Sequence, residues 1–196
     1  MIAIVDYDTG NLRSVCNALE RIGADYCVTS DADIIKSADK VLLPGVGEAS
    51  SAMRKLQERG LCSVIKELTC PVLGICIGMQ LMCRYSEEGD VECLGIFDTK
   101  VRRFVPDAQR GVKVPHMGWN EIYNLKTSLF KGIDNGAFLY FVHSYAPDVC
   151  KDAIALSANG REFAAALSKN NFYGTQFHPE KSGDVGEQII KNFIEL

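Results

Sequence analysis

The sequence predicts an α/β fold in which a mainly parallel central sheet is flanked by helices and extended by an antiparallel section. In the first half of the chain, short apolar runs alternate with helical patterns, which is typical of βαβ units. Beyond residue 100, turns separate the apolar runs, which indicates antiparallel strands. The 196 residues, 47% of them hydrophobic, suffice for one well-packed core. We therefore expect a single domain over residues 1–196.

The first half contains predicted strands at residues 2–5, 26–29, 41–43 and 72–75. A helix is predicted over residues 12–22, because its apolar residues recur at intervals of three and four: Leu12, Val15, Cys16, Leu19 and Ile22. Asn11 is its predicted N-cap, and Gly23 ends it. A second helix is expected over residues 48–59 and a shorter one around residues 64–68. The last of these strands leads directly to Cys76.

The second half contains shorter predicted strands and a final helix. The strands are expected at residues 100–105, 138–142, 154–157, 164–168 and 173–177. The helix is predicted over residues 184–194, where one face is apolar: Val185, Ile189, Ile190 and Phe193. No repeat or linker interrupts the chain, so no internal domain boundary is expected.

Composition and charge narrow the classes of partner. The formal net charge is −4 with acidic and basic residues interspersed, which argues against a nucleic-acid surface. No basic stretch precedes a long apolar run, and no segment has the length of a membrane span, so we expect a soluble, cytoplasmic protein without a membrane partner. No two of the eight cysteines have the two-residue spacer of zinc or dithiol motifs. We expect no metal and no cofactor, and most cysteines to be reduced and buried.

Cys76 is the first candidate catalytic residue. It lies between Gly74 and Gly78 at the junction of a predicted strand and the following helix, a composition typical of a nucleophile elbow. Such a turn holds its central residue in a strained conformation, and side chains at the flanking positions would collide with neighbouring elements. The start of the helix also favours a thiolate. A buried structural cysteine beside two turn glycines is the alternative.

His178 is the best candidate for the base that such a nucleophile requires. It follows the predicted strand 173–177, whose end can lie beside the elbow. Pro179 cannot continue a ladder of hydrogen bonds, so His178 and Glu180 can point the same way. Glu180 would then hold the imidazole in its productive tautomer and stabilise the imidazolium. Each residue alone would more often be structural, but their joint placement favours a triad of Cys76, His178 and Glu180.

Two segments resemble the signatures of class I glutamine amidotransferases: GICIGMQ around Cys76 and FHPE around His178. Their order and separation match the family as well. Further segments resemble the glutaminase subunits of imidazole glycerol phosphate synthases, which act in histidine biosynthesis: residues 6–15, 44–47, 115–121 and 140–145. One departure is Asp8, where many members have glycine. The resemblance implies the flavodoxin-like fold of class I glutamine amidotransferases.

The resemblance implies that Cys76 attacks the side-chain amide of glutamine and that water later releases glutamate from a thioester. His178 would deliver a proton to the departing ammonia. The oxyanion would be stabilised by the N–H of Ile77 and by an N–H from the loop of Val46 and Gly47. Taken alone, that loop would be interpreted as a helix-entry turn.

The resemblance also implies a glutamine pocket. Gln80 would line it, Glu88 would meet the α-amino group of the substrate, and three residues would form the opposite wall: His143, Ser144 and Tyr145. Within residues 86–89, the pattern does not separate Glu88 from Glu87, and either carboxylate could face solvent instead.

A partner is implied as well, because ammonia released into water at neutral pH would be protonated and lost as a nucleophile. The resemblance implies a heterodimer with a (β/α)8-barrel synthase, or cyclase, that receives the ammonia. Residues expected near the contact are Asn11, Met117, Trp119, Asn120, Tyr140 and Lys181. Aromatic side chains dominate interface hot spots, although Trp119 and Tyr140 could equally be core residues. A nucleotide bound to the partner is expected to bias the Val46 peptide toward the oxyanion.

Other functions stay open at this point. A cysteine hydrolase of the same superfamily would use a similar elbow but would lack Gln80 and the FHPE segment. A non-catalytic binding subunit would more often have lost Cys76 or His178. An amidotransferase subunit of a different or paralogous pathway would share the triad.

Overall fold

A seven-stranded sheet forms the centre of the molecule in the computed structural model, which describes residues 1–8 and 10–196. Thr9, which belongs to the segment 6–15 singled out above, lies outside the described residues. The strands of this sheet are β1 Ile2–Val5, β2 Tyr26–Thr29, β3 Lys40–Leu43, β4 Val72–Ile75, β11 Ala153–Ala158, β12 Glu162–Lys169 and β13 Phe172–Thr175. Their order is β2-β1-β3-β4-β13-β12-β11. The first five pair in parallel, and β12 and β11 add an antiparallel edge.

The central strands are apolar along their length because both faces of the sheet are covered. All four residues of β1 and of β4 are buried, and so are the last three residues of β3. The edge strand β2 has less cover, and its residues are half-buried or exposed. The hydrophobic core therefore lies on both sides of β1, β3 and β4.

Helices connect the parallel strands. Their bounds are α1 Leu12–Ile22, α2 Ala32–Ser37, α3 Ala49–Glu58, α4 Leu61–Lys66, α5 Ile77–Met82 and α6 Gly183–Glu195. The chain moves from β1 to β2 in one direction across the sheet and from β3 to β4 in the other, so right-handed connections place α1 and α3 on opposite faces. In agreement, α1 packs against α6, whereas α3 packs against α4. Within residues 1–8 and 10–196, none of the helices has both the length and the apolar character needed to cross a membrane.

The ends of α1 agree only partly with the prediction. Gly23 ends the helix as expected, and its N–H donates to the carbonyl of Glu20 at 3.0 Å. Asn11 occupies the N-cap position, but within the described residues its side chain makes no hydrogen bond that caps the helix. The backbone of Asn11 is left-handed, with φ at 73°, which is not the extended conformation of an ordinary side-chain cap.

The remaining strands form two smaller sheets. One has the order β10-β7-β5-β6 and contains β5 Cys83–Ser86, β6 Val91–Glu92, β7 Phe97–Arg103 and β10 Tyr145–Pro147. The other is an antiparallel ribbon of β8 His116–Ile122 and β9 Ala137–His143. Because side chains alternate along a strand, the two faces of the ribbon differ. One face is exposed and carries the apolar side chains of Met117, Trp119 and Phe138 beside the charged Glu121. The other face buries His116, Leu139 and Phe141.

The predicted α/β architecture is confirmed, and the bounds of β1, α1, β2 and β4 agree to the residue. Sequence reasoning missed α2, a short helix that begins where the side chain of Asp31 accepts from two backbone N–H groups. It also missed β5, β6, β8 and β10. The predicted strand 100–105 corresponds to β7, which begins and ends earlier, and the predicted strand 173–177 ends at Thr175.

Burial of the cysteines differs from the expectation. All eight are free, but only Cys76 and Cys83 are buried. The expectation that most are buried is wrong, because the other six lie where elements meet solvent. Cys27, for example, lies on the edge strand β2.

Gly78 allows α5 to pack directly against the end of β3, so an alanine at this position should destabilise the fold. Its Cβ would lie 1.7 Å from the carbonyl oxygen of Leu43, which belongs to the backbone and cannot rotate away. We expect Gly78→Ala to lower the free energy of unfolding by roughly 3 kcal/mol or more, measured by urea denaturation.

Gly95→Ala is the control for this prediction. Gly95 has a left-handed φ of +71°, but no described atom lies within 4 Å of an added Cβ. The control should therefore lose only about 1–2 kcal/mol. Equal losses in the two variants would contradict the packing argument.

Candidate active site

Four adjacent parallel strands end at the same edge of the central sheet, and each leads to a residue singled out in the sequence. In sheet order the strands are β1, β3, β4 and β13, and the segments that follow them contain Asn11, Val46, Cys76 and His178. The chain leaves β1 and β3 in opposite directions across the sheet. Such a topological switch point is where open α/β sheets bind ligands.

Cys76 occupies the turn between β4 and α5 in a conformation that residues with side chains rarely adopt. Its φ and ψ are 53° and −109°. The Cys76 N–H donates to the Thr175 carbonyl at 2.7 Å, and the Gln80 N–H donates to the Cys76 carbonyl at 3.1 Å. The residue is only 4% exposed. Strain of this kind persists where the surroundings fix it, and it is concentrated at active sites.

His178 and Glu180 form a buried pair at the single-turn 3-10 helix Pro179–Lys181, which follows β13 and has His178 as its N-cap. Nδ1 of His178 lies 2.8 Å from Oε1 of Glu180. The same carboxylate oxygen accepts from Nδ2 of Asn11 at 3.2 Å, and Oδ1 of Asn11 accepts from the Ser14 hydroxyl at 2.6 Å. The second carboxylate oxygen has no hydrogen-bond partner in the described part of the chain. Asn11 and Glu180 thus fix the orientation of the imidazole.

The surroundings of His178 raise its pKa. Burial alone would lower it, but hydrogen bonds to Cys76 and Glu180, together with electrostatic interactions with both groups, raise the pKa to about 10. Because Nδ1 faces Glu180, Nε2 is the nitrogen left for Cys76. His178 is therefore an imidazolium at neutral pH, with a transferable proton beside the sulfur.

A pocket of about 330 Å³ lies over Cys76, a volume suited to a small-molecule ligand. His178 and Lys181 line it, as do all residues predicted for the oxyanion and glutamine sites: Val46, Gly47, Ile77, Gln80, Glu88, His143, Ser144 and Tyr145. Pro115 and Val142 also line it and were not predicted. The fold thus gathers residues from six separate parts of the sequence around one sulfur.

Two buried glutamines connect the pocket wall to the nucleophile. Nε2 of Gln80 donates to the Tyr145 carbonyl at 3.0 Å and to Oε1 of Gln176 at 3.0 Å. Nε2 of Gln176 in turn donates to Sγ of Cys76 at 3.6 Å. Sequence reasoning missed Gln176. The signal was its position two residues before His178, since residues two apart at a strand end share a side of the sheet.

The structure separates the two neighbouring glutamates. Glu88 is half-buried at the pocket, where one of its oxygens accepts from the Ala49 N–H at 3.0 Å. Burial raises the pKa of Glu88, and the hydrogen bond from Ala49 partly opposes this. Glu87 is exposed and accepts from the Arg103 N–H at 2.9 Å, away from the pocket lining.

His116 and His143 form a buried, uncharged pair beside the pocket. Nδ1 of His143 lies 2.8 Å from the Tyr145 carbonyl, so it carries the proton. Its Nε2 then accepts from Nδ1 of His116 at 2.9 Å, and Nε2 of His116 accepts from the Asn120 amide at 3.0 Å. Burial lowers the pKa of His116 to about 4 and that of His143 to about 3. The side chain of Asn120 therefore faces the inner side of the ribbon.

The residues expected to contact a partner lie in different places. Met117 and Trp119 are 63% and 56% exposed, so a core position for Trp119 is ruled out. Phe138, which was not predicted, is 56% exposed on the same face of the ribbon. Tyr140 is half-buried, with its ring centroid 6.1 Å from that of Trp119. Lys181 is exposed and lines the pocket.

The three histidines should titrate at widely separated pH values. We expect His178 to stay an imidazolium at about pH 8, and His116 and His143 to stay neutral at about pH 5.5, because only His178 is hydrogen-bonded to acidic side chains. Nitrogen-15 NMR of the imidazole rings measures both. Cys76→Ala should lower the pKa of His178, since it removes a hydrogen bond and an electrostatic interaction that raise it. A neutral His178 at pH 8 in the wild type would contradict this electrostatic picture.

Comparison with known proteins gives the family. The family model described as glutamine amidotransferase class-I matches residues 3–196. The chain is 58% identical over 195 residues to the imidazole glycerol phosphate synthase subunit HisH of Bacteroides fragilis. This match covers 100% of this chain and 99% of the relative. It is 53% identical over 195 residues to the subunit of the same name from Bacteroides thetaiotaomicron, with the same coverage.

A solved structure agrees in fold. The crystal structure of a glutamine amidotransferase superimposes with a TM-score of 0.75 at 15% identity, covering 100% of this chain and 98% of the other. At this identity the likeness concerns the fold alone, whereas the family model and the relatives span nearly every residue. The chain belongs to the class-I glutamine amidotransferase family.

Proposed function

We propose that the protein is the glutaminase subunit of an imidazole glycerol phosphate synthase. It hydrolyses L-glutamine to glutamate and ammonia, and passes the ammonia to a synthase partner in histidine biosynthesis. The observation that carries the proposal is the buried arrangement of Cys76, His178 and Glu180 in a chain with 58% identity over 195 residues to a subunit of that name. We further propose that residues 1–196 act as one domain, in the cytoplasm and without a cofactor.

The first chemical step is attack of the Cys76 sulfur on the side-chain carbonyl carbon of glutamine. A C–S bond forms, and the carbonyl oxygen becomes an oxyanion. The N–H of Ile77 and a peptide N–H of the loop at Val46 and Gly47 stabilise that oxygen. The imidazolium of His178 gives its proton to the departing amine, the C–N bond breaks, and ammonia leaves a thioester behind.

The second step is hydrolysis of the thioester. His178, now neutral, takes a proton from a water molecule as the water oxygen attacks the thioester carbonyl carbon. The C–S bond then breaks, glutamate is released, and the sulfur of Cys76 recovers its negative charge beside the imidazolium. Glu180 holds the ring orientation through both steps and stabilises its positive charge.

We propose that Glu88 binds the α-amino group of glutamine. Its second carboxylate oxygen remains for a cation after the Ala49 N–H has bonded the first. Glu87 is less suitable because it is exposed and bonded to the backbone of β7. Gln80 would form one side of the pocket, and the opposite wall consists of His143, Ser144 and Tyr145.

Cys76→Ala should abolish glutamine hydrolysis while leaving the fold nearly intact, because the residue acts through its sulfur. His178→Ala should be nearly as damaging, with kcat losses of roughly 10³-fold or more for both variants. Glu180→Gln should be milder, since it keeps the shape of the group that orients the base. Single-turnover release of glutamate measures all three, and the melting temperature monitors folding.

The other seven cysteines provide the control for the nucleophile, because alanine variants of any of them should keep activity. Wild-type turnover in Cys76→Ala would overturn the assignment of the nucleophile. A larger loss in Glu180→Gln than in His178→Ala would overturn the division of roles.

We propose that the exposed face of the β8–β9 ribbon contacts a (β/α)8-barrel synthase. Met117, Trp119 and Phe138 expose an apolar patch, and the Tyr140 ring extends it. Clustered exposed apolar side chains with aromatic members are typical of interfaces. Lys181, which is exposed and lines the pocket, adds a charged group at the proposed contact.

The ribbon is hydrogen-bonded to the turn that carries the base. The His178 N–H donates to the Tyr140 carbonyl at 2.9 Å, and the Tyr140 N–H donates to the Ser182 hydroxyl at 2.9 Å. Ser182 also donates to the His178 carbonyl at 2.6 Å. A partner that shifts β9 would therefore move the backbone of His178 directly.

We propose that a nucleotide bound to the partner biases the Val46 peptide toward the oxyanion. The loop is packed at one end, since a Cβ at Gly45 would lie 2.5 Å from the Tyr7 hydroxyl oxygen. At the other end Gly47 has a φ of +99°, and no described atom lies within 4 Å of an added Cβ. The Val46 peptide therefore adjoins a residue with space to reorient.

Glutamine turnover should depend on the partner. We expect it to rise in order for the isolated chain, the chain with the barrel synthase, and the chain with synthase and acceptor nucleotide. Trp119→Ala should weaken synthase binding by about 2 kcal/mol, roughly 30-fold in Kd. Val105→Ala is the matched control, because Val105 is 79% exposed but lies outside the ribbon.

Unchanged activity on either addition would contradict partner dependence. Wild-type binding by Trp119→Ala, or an equal loss in Val105→Ala, would contradict the docking face. Co-purification with an adenylating or chorismate-processing partner would assign the protein to a different pathway.

A further inference from the structure

We propose that Gln176 is a positioning residue for the nucleophile, which it holds through a hydrogen bond from its amide to the sulfur of Cys76. The inference rests on the proposed role of Cys76 and adds a residue outside the triad. Gln176 and Gln80 are 0% and 1% exposed, so water does not compete for their amides. Gln80 lines the pocket, and Gln176 lies between Gln80 and the sulfur of Cys76.

A single backbone carbonyl fixes the direction of this network. The carbonyl of Tyr145 can only accept, so the Gln80 atom that lies 3.0 Å from it must be the amide nitrogen. That nitrogen also lies 3.0 Å from the amide of Gln176, so the facing atom of Gln176 must be its oxygen. The nitrogen of Gln176 is therefore the atom that lies 3.6 Å from Sγ of Cys76.

The chemistry of the sulfur explains the need for such a donor. In the proposed mechanism the Cys76 sulfur carries negative charge as it attacks, and again when the thioester is hydrolysed. A buried N–H stabilises that charge and restricts the rotation of the side chain, because hydrogen bonds to charged groups are stronger than neutral ones. The opposite amide orientation would place an oxygen against the negatively charged sulfur. Gln80 prevents that orientation.

A purely structural role for Gln176 makes a different prediction. In that case its function would be to accept from Gln80 and so to hold the pocket wall. Gln176→Glu separates the two roles, since a carboxylate of the same shape still accepts from Gln80 but offers the sulfur an oxygen instead of an N–H. Gln176→Met has a similar length and removes both interactions.

The test measures alkylation of Cys76 by iodoacetamide at about pH 8, with mass spectrometry to distinguish the other cysteines. We expect Gln176→Met to react about tenfold more slowly than the wild type, and Gln176→Glu more slowly still. In the glutaminase assay, kcat should fall in Gln176→Glu while the KM for glutamine stays within about twofold, because Gln80 remains held.

Gln80→Glu is the second variant, because it cannot donate to Gln176 and so frees that amide to turn. We expect slower alkylation of Cys76 in this variant too, and this result tests the inference if the Gln176 variants do not fold.

Asn192→Asp is the matched control: Asn192 is a buried amide in α6 that donates to the carbonyls of Leu129 and Lys131. It should lower the melting temperature without changing alkylation.

Alkylation requires neither glutamine nor a partner, so it distinguishes this inference from the proposed function. Slower alkylation in the Gln176 and Gln80 variants would support the inference even if the wild type hydrolysed no glutamine. Absence of hydrolysis in the wild type would overturn only the proposed function. Wild-type alkylation in folded Gln176→Glu would overturn the inference and leave the triad intact. Equal slowing in Asn192→Asp would overturn it as well, since the effect would then follow from lost stability.

Discussion

The parallel pairing of β4 with β13 is the constraint on which the active site depends. The Cys76 N–H donates to the Thr175 carbonyl, which extends the ladder between these strands by one residue beyond the end of β4. Both strands are largely buried, and a slip in register would turn apolar side chains toward solvent. The position of the sulfur is therefore tied to the strand that leads to Gln176 and His178. Neither the strained backbone of Cys76 nor the triad could persist without that link.

The same rigidity allows histidines in one region of the fold to differ in charge. Burial lowers the pKa of every histidine here, and only hydrogen bonds to acidic side chains reverse the effect. His178 has two such partners, Cys76 and Glu180, whereas the hydrogen-bond partners of His116 and His143 are a carbonyl, an amide and each other. The fold thus keeps one imidazolium at the sulfur and two neutral rings in the wall. Neutral rings avoid a second positive charge that would compete with His178 for the thiolate.

Sequence patterns predicted the bounds of an element correctly where burial or backbone conformation at that point of the chain determines them. The apolar run of β1, the spacing of α1 and Gly23 after it gave correct bounds because each reflects burial or backbone conformation at that point in the chain. The helix α2 was missed because it is too short for a periodic pattern, and Asp31 alone is a weak signal. Gln176 and the difference between Glu87 and Glu88 depend on contacts between distant segments. The spacing of Gln176 from His178 indicated only a shared side of the sheet, and no spacing rule predicts a hydrogen bond to a distant segment. The family resemblance therefore supplied the pocket, and its hydrogen bonds became known only from the structure.

Two polar routes join the ribbon to the chemistry, and they differ in kind. The backbone route is a single hydrogen bond, from the His178 N–H to the Tyr140 carbonyl, so a shift of β9 would act on the backbone of His178 directly. The side-chain route runs from Asn120 through His116 and His143 to the carbonyl that also orients Gln80. Each member of that chain has its donors and acceptors matched in one direction, and none can reverse, because the Tyr145 carbonyl at its end can only accept. Such a network favours a single arrangement of the wall. The backbone route is therefore the better candidate to transmit docking, and the side-chain route to keep the pocket unchanged while docking occurs.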